Sequence, residues 1–146
     1  MTKTPDPTRL QLTKFIKAPR ARVFEAWIKP EVMKLWFAPG AMTVPSAETD
    51  PRVGGKYRLQ MQDGAEIHTA YGVYREVVPN EKLVLTWGWE GKDLHDSLLT
   101  LEFRDKDGGT EVTLTHERFV TTEQTKQHTK GWIGCLDNLA ARIGQP

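Results

Sequence analysis

The chain has a single cysteine, Cys135, among its 146 residues. An intrachain disulfide is therefore excluded, and so is any zinc site built from paired thiolates. That thiol usage suits a reducing compartment, and a cytoplasmic location is the expectation. No apolar run approaches the ~18 residues that a membrane-spanning helix needs. The first seven residues, Met1 to Pro7, lack an apolar signal-peptide core and read as a frayed lead-in. Phosphate-loop and dinucleotide fingerprints are missing, as is the HExxH pattern of metalloproteases. Repeats, low-complexity tracts and linkers are missing too, so residues 1–146 read as one domain.

Charge of one sign is also lacking overall, with a formal net charge of +1. That balance predicts no nucleic-acid partner, and no basic stripe with interleaved stacking aromatics is found. The distribution is uneven: residues 1–34 hold eight Lys or Arg against three Asp or Glu. A solvated basic face on the first strand and helix explains this, and a protein-docking patch is the alternative.

What is present is an ordered series of elements. Leu10 and Leu12 alternate with Arg9, Gln11 and Lys14, which predicts a half-buried strand from Thr8 to Ile16. Pro19 suits the first turn of a helix whose apolar stripe is Val23, Phe24, Trp27 and Ile28, with Pro30 as its stop. A second short helix, Glu31 to Trp36, is expected to bury Val32, Leu35 and Trp36 and to end at Pro39-Gly40. Met42 to Thr49 contains Pro45 and reads as an edge strand. Strands follow around Tyr57-Leu59-Met61, Glu66 to Val78, Leu83-Leu85-Trp87-Trp89, Leu99-Leu101-Phe103 and Val112-Leu114-His116. Gly54-Gly55, Asp63-Gly64, Pro79-Asn80 and Asp107-Gly108-Gly109 supply turns.

Thr121 and Gln124 have capping-box spacing, and Gly144 is a stop signal. They delimit a helix of ~22 residues, roughly 33 Å long. Its buried face should carry Thr125, His128, Trp132, Leu136, Leu139 and Ile143, with Cys135 at the edge. Gly131 flanks that face and suggests close backbone approach. Gly134 points away, toward a loop or the second subunit of a homodimer. The fold class is α+β: an antiparallel sheet of about six to seven strands covered by one long C-terminal helix, with two short helices after the first strand. Such an arrangement tends to enclose a pocket.

Ordered motifs carry a family resemblance. They are Trp36-Phe37-Ala38-Pro39, Asp50-Pro51-Arg52-Val53-Gly54-Gly55-Lys56-Tyr57, Gly72-Val73-Tyr74-Arg75-Glu76-Val77-Val78-Pro79, Leu83-Val84-Leu85-Thr86-Trp87, Gly109-Thr110-Glu111-Val112-Thr113-Leu114-Thr115-His116 and Gly131-Trp132. The set resembles the bacterial branch of the family named for activators of the heat-shock protein 90 ATPase, within the START/SRPBCC (Bet v I-like) superfamily. The resemblance implies a helix-grip fold, a curved sheet around the last helix with a cavity between them. Superfamily members bind lipids, sterols, polyketides and plant hormones, and a few are cyclases or hydrolases.

Candidate site residues follow from parity and from that cavity. His116 shares a face with Val112 and Leu114, so it points into the concave side. There it is a satisfied core histidine, orients a ligand, or acts as an acid or base with Glu66, Glu48 or a tyrosine. His128 lies one turn before Trp132, whereas His68 could face either side because Gly72 or Val77 would allow a bulge. These three histidines are separated by 48 and 12 residues, which matches no compact metal motif. No metal and no cofactor are expected. Tyr57, Met61, Trp87, Trp89, Leu99, Phe119 and Trp132, with His116 and His128, are the expected ligand-binding lining, and Trp36 and Phe37 the rim. Cys135 reads as a buried inert thiol, and Ser46 and Ser97 lack a nucleophile elbow. Asp50 and Arg52 read as a surface ion pair. The function expected is binding of a small hydrophobic or amphipathic molecule rather than catalysis. The alternatives are a cyclase- or hydrolase-like enzyme using His116, and a chaperone-ATPase regulator docking through the basic N-terminal face.

Overall fold

The computed structural model describes residues 8–37, 42–91 and 97–144. The expected lead-in and the Pro39-Gly40 stop lie outside them. The order is β1 (Leu10–Ile16), α1 (Arg20–Ala26), α2 (Pro30–Trp36), β2 (Thr43–Thr49), β3 (Lys56–Asp63), β4 (Glu66–Val78), β5 (Lys82–Trp89), β6 (Ser97–Lys106), β7 (Gly109–Glu117) and α3 (Thr122–Ile143). The seven strands form one antiparallel sheet in the order β1-β7-β6-β5-β4-β3-β2. It curls as a half-barrel around α3, the helix-grip fold. No helix among the described residues is long and apolar enough to cross a membrane.

Strand parity builds the concave face. Tyr57, Leu59 and Met61 lie opposite Gly72, Ala70 and His68. Leu83, Leu85 and Trp87 lie opposite Leu101, Leu99 and Ser97, which in turn meet β7 at Leu114 and His116. Because side chains alternate, each of these sets faces one way. Most of the set is buried, and together with the inner face of α3 it makes the core. That helical face is Thr125, Trp132, Cys135, Leu136, Leu139 and Ile143. The capping box opens α3: Thr121 Oγ1 accepts from the Gln124 amide at 3.1 Å, and Gln124 Oε1 accepts from the Thr121 amide at 3.4 Å.

Pro30 does more than end a helix. Lys29, the residue before it, is held extended at φ −93° and ψ 117°, which divides one apolar stripe into two helices. Pro30 then takes the first position of α2, where its missing N–H is no loss. Pro19 caps α1 from outside the helix rather than sitting in its first turn. The buried face of α2 is also corrected. Met33 and Trp36 point inward, whereas Leu35 is 60% exposed. Residues three apart share a helical face, and Leu35 falls about 200° away from Met33.

β2 is an edge strand, with a register shift between Thr43 and Ser46 around Pro45. The bulge in β4 lies at Arg75, between Tyr74 and Glu76, and not at Gly72 or Val77. Register before it is therefore unbroken, and pairing with Met61 puts His68 on the concave face. Gly72 has a different purpose. A Cβ there would sit 2.0 Å from the Thr86 carbonyl oxygen, the same oxygen that accepts the Tyr57 hydroxyl. Gly72→Ala is expected to cost about 3 kcal/mol or more, because neither backbone can yield without parting β4 from β5. Denaturant unfolding of the variant measures this, and a loss under about 1 kcal/mol would refute the close approach.

Candidate functional site

A pocket of about 790 Å³, partly open to solvent, lies between the concave face and the N-terminal half of α3. Phe37, just past α2, and Met42, just before β2, contribute to one side. Met61 of β3, with Ile67, His68 and Thr69 of β4, contributes to a second. Trp87 and Trp89 of β5, followed by Glu90, contribute to a third. From α3 come Gln124, Gln127, His128, Gly131, Trp132 and Cys135. Spacings of three and four residues bring these helical positions onto one face.

The aromatic rings form a continuous wall. Trp87 lies 5.2 Å from Trp132, 5.5 Å from Trp89 and 6.2 Å from Phe37, centroid to centroid. Gly131 stands beside them, and a Cβ on it would have no neighbour within 4 Å. The close backbone approach expected at Gly131 is thus not found; the missing side chain leaves pocket space.

Two histidines anchor this wall, and both are fully engaged. An indole N–H can only donate. Trp132 Nε1 donates to His116 Nδ1 at 3.0 Å, so the His116 proton sits on Nε2. Nε2 lies 2.7 Å from Ser97 Oγ and donates to it, while Ser97 donates to the Trp87 carbonyl at 2.9 Å. His116 is completely buried. Burial, with His128 adding a smaller effect, pushes its pKa well below the usual histidine value. The same logic fixes His128: Trp89 Nε1 donates to its Nε2 at 3.0 Å, and its Nδ1–H donates to the Gln124 carbonyl at 2.7 Å. Burial lowers this pKa too, against a smaller opposing effect of the Gln124 bond.

This geometry limits the chemistry. The lone pair of His116 is taken by Trp132, and the Ser97 hydroxyl directs its proton at a carbonyl. The imidazole has no free acceptor for a substrate proton, and Ser97 is not activated as a nucleophile. Glu66 lies 3.5 Å from half-buried His68, and is not paired with His116. Cys135 Sγ donates to the Phe37 carbonyl at 3.0 Å, and burial pushes the thiol up to about 12. No group of three or more metal-ligating side chains is found among the described residues. Asp50 and Arg52 form an exposed pair at 3.0 Å.

Of the nine lining candidates, Met61, Trp87, Trp89, His128 and Trp132 form part of the pocket wall. Four lie behind it. Tyr57 and Leu99 border a small void deeper in the core, together with Trp27 and Tyr74. His116 sits behind Trp87 and Trp132, at 5.8 and 6.1 Å. Phe119 packs at a tilt against His116 and His128, at 4.3 and 4.6 Å between ring centroids. Phe37 lines the pocket, whereas Trp36 is buried and donates to the Ala26 carbonyl at 2.9 Å. Sequence reasoning missed Gln124, Gln127 and Gly131 as lining. Stepping one turn along α3 from His128 would have found Gln124 and Gly131.

The chain matches the family model described as Activator of Hsp90 ATPase homolog 1-like protein over residues 17–144. It is similar to a solved structure from Chromobacterium violaceum, with 25% identity, 96% of this chain and 100% of that chain covered, and a TM-score of 0.87. A putative uncharacterized protein from Rhizobium leguminosarum is 28% identical over 92% of this chain and 93% of that one, with a TM-score of 0.78. The AHSA1 protein from Silicibacter pomeroyi is 23% identical over 91% and 95%, with a TM-score of 0.80. Among curated proteins, none matches.

The two engaged imidazoles, His116 buried and His128 half-buried, make stability depend on pH. Both folded pKa values lie below the unfolded value near 6.5, so the unfolded chain binds more protons as pH falls past that point. Stability should be level above about pH 7 and fall below about 6.5, by up to about 1.4 kcal/mol per pH unit for each histidine. In His128→Phe the slope should fall without vanishing, because His116 remains buried and neutral. Guanidinium unfolding between pH 8 and pH 5 tests this, and a flat profile in the parent protein would refute it.

Proposed function

The chain belongs to the Activator of Hsp90 ATPase homolog 1-like family, and on that premise we propose that it binds a small apolar or amphipathic molecule in the pocket between sheet and α3. The observation that carries this reading is Gly131. A glycine inside a helix costs about 1 kcal/mol relative to alanine. Packing gives no reason for one at Gly131, since a Cβ would meet nothing. What a longer side chain would fill is the pocket, beside Trp87 and Trp132. The volume, the mostly apolar wall and the few polar groups at the rim match ordinary small-molecule sites.

Binding without turnover fits the engaged state of His116 and Ser97. Docking of a chaperone through the basic N-terminal face gains little from the geometry. Arg20 is paired with Asp105 at 3.1 Å, and Arg22 donates to the Ile143 carbonyl at 3.2 Å, so both are partly used within the fold.

The neutral fluorophore N-phenyl-1-naphthylamine serves as a test probe. It should bind saturably to the parent protein with a rise and blue shift of emission. Gly131→Trp should fill the space and weaken binding at least about tenfold, which is 1.4 kcal/mol, with the circular dichroism spectrum unchanged. Gly131→Ala should keep binding and gain about 1 kcal/mol of stability from helix propensity. Equal binding by the parent and by Gly131→Trp would place the probe elsewhere and end this reading.

A further inference from the structure

Among the described residues the pocket wall offers rings and no unpaired charge, and that combination restricts what it can hold. No lysine or arginine lines it among the described residues. Glu90 is the one carboxylate among the described lining residues, and Arg58 donates to its Oε2 from Nη2 at 2.9 Å and from Nε at 3.0 Å. His68 stands opposite Glu66 at 3.5 Å. His128 is locked between Gln124 and Trp89 with both ring nitrogens used. An ion entering the pocket would lose its water and meet no counter-charge.

Resting on the binding role proposed above, we infer that the site selects uncharged, ring-bearing ligands and rejects the carboxylates of the same shape. Loss of hydration without a paired charge opposes any ion. Flat rings gain offset or edge contacts against the half-buried Trp89 and the small open edges of Trp87, Trp132 and Phe37. The polar groups left at the rim, the amides of Gln124 and Gln127, are neutral hydrogen-bonding groups. Gln124 Oε1 is already committed to the capping box, so its amide N–H groups remain to meet a ligand carbonyl, ether or hydroxyl oxygen. A cation would gain from the ring faces. That attraction is smaller than the desolvation it would have to offset in a site with no free acid.

Three pyrene derivatives that differ in charge separate the possibilities: 1-pyrenemethanol, 1-pyrenecarboxylate and 1-pyrenemethylammonium. Pyrene emission under tryptophan excitation reads binding, with full-length protein at pH 7 and fixed ionic strength. The alcohol should bind at least about tenfold more tightly than either ion. Gln127→Lys, which adds a cation at an exposed rim position, should tighten the carboxylate severalfold relative to the alcohol. Equal or tighter binding of the carboxylate or the ammonium by the parent protein overturns the charge selection alone. Failure of all three to bind, or alcohol binding that persists in Gly131→Trp, overturns the pocket reading beneath it.

Discussion

The indole of Trp132 donates to His116 across the seam between helix and sheet, and the pocket depends on that bond. Four elements meet there. Trp132 comes from α3, His116 from β7, Ser97 from β6, and the carbonyl that ends the chain of donors belongs to Trp87 on β5. Each donor is matched to one acceptor, so the network is complete although it is buried. Losing one member would strand the others, since an unpaired buried polar group costs about 1–3 kcal/mol. A completed network also fixes orientation. It sets the ring plane of Trp132 and, through the second histidine, the ring of Trp89. The apolar wall is therefore built by polar bonds behind it.

That division explains why the best catalytic candidate in the sequence is not placed to act on a ligand. Strand parity put His116 on the concave side, and there it is. Its burial, however, comes from Trp87, Trp132 and Phe119 standing over it. A histidine could be a base only if one nitrogen were free to accept. The indole occupies that nitrogen, and protonating it would break the bond that holds the helix. The low pKa follows from the same burial: the charged form loses its water, and His128 nearby opposes it to a smaller extent.

Legibility in the sequence follows the range of the physics. Periodicity is local, so the strands, the capping box and the long helix could be read from it, and they lie where spacing put them. The inner face of α2 was misread because an apolar residue is a poor guide on a helix of seven residues. Leu35 looked like core, and Met33 took its place. Long-range register was out of reach. Nothing local tells that the β4 bulge falls at Arg75, and this alone decides which way His68 faces. Depth was out of reach too. Leu99 and Met61 share a sheet face, yet Leu99 sits at 1% exposure in the packed centre while Met61 borders the pocket.

Gly131 and Gly72 show why a glycine is hard to interpret from sequence. Both interrupt regular elements, and both would ordinarily suggest close approach of backbone. At Gly72 the suggestion holds, with the Thr86 carbonyl in the place of a Cβ. At Gly131 the space is empty. The first glycine is required by what is present, whereas the second stands beside open space. A sequence encodes both with the same letter, because the difference resides in the neighbours and not in the residue. An empty place beside a wall of rings is a cost in helix stability with no return in packing. It becomes intelligible once the wall itself is considered. Trp89, Met42 and Ile67, beside the buried rings of Trp87, Trp132 and Phe37, present apolar surface that the protein leaves partly uncovered. On the binding role proposed above, the favourable covering of such surface by an apolar molecule is the compensation that the fold alone does not supply.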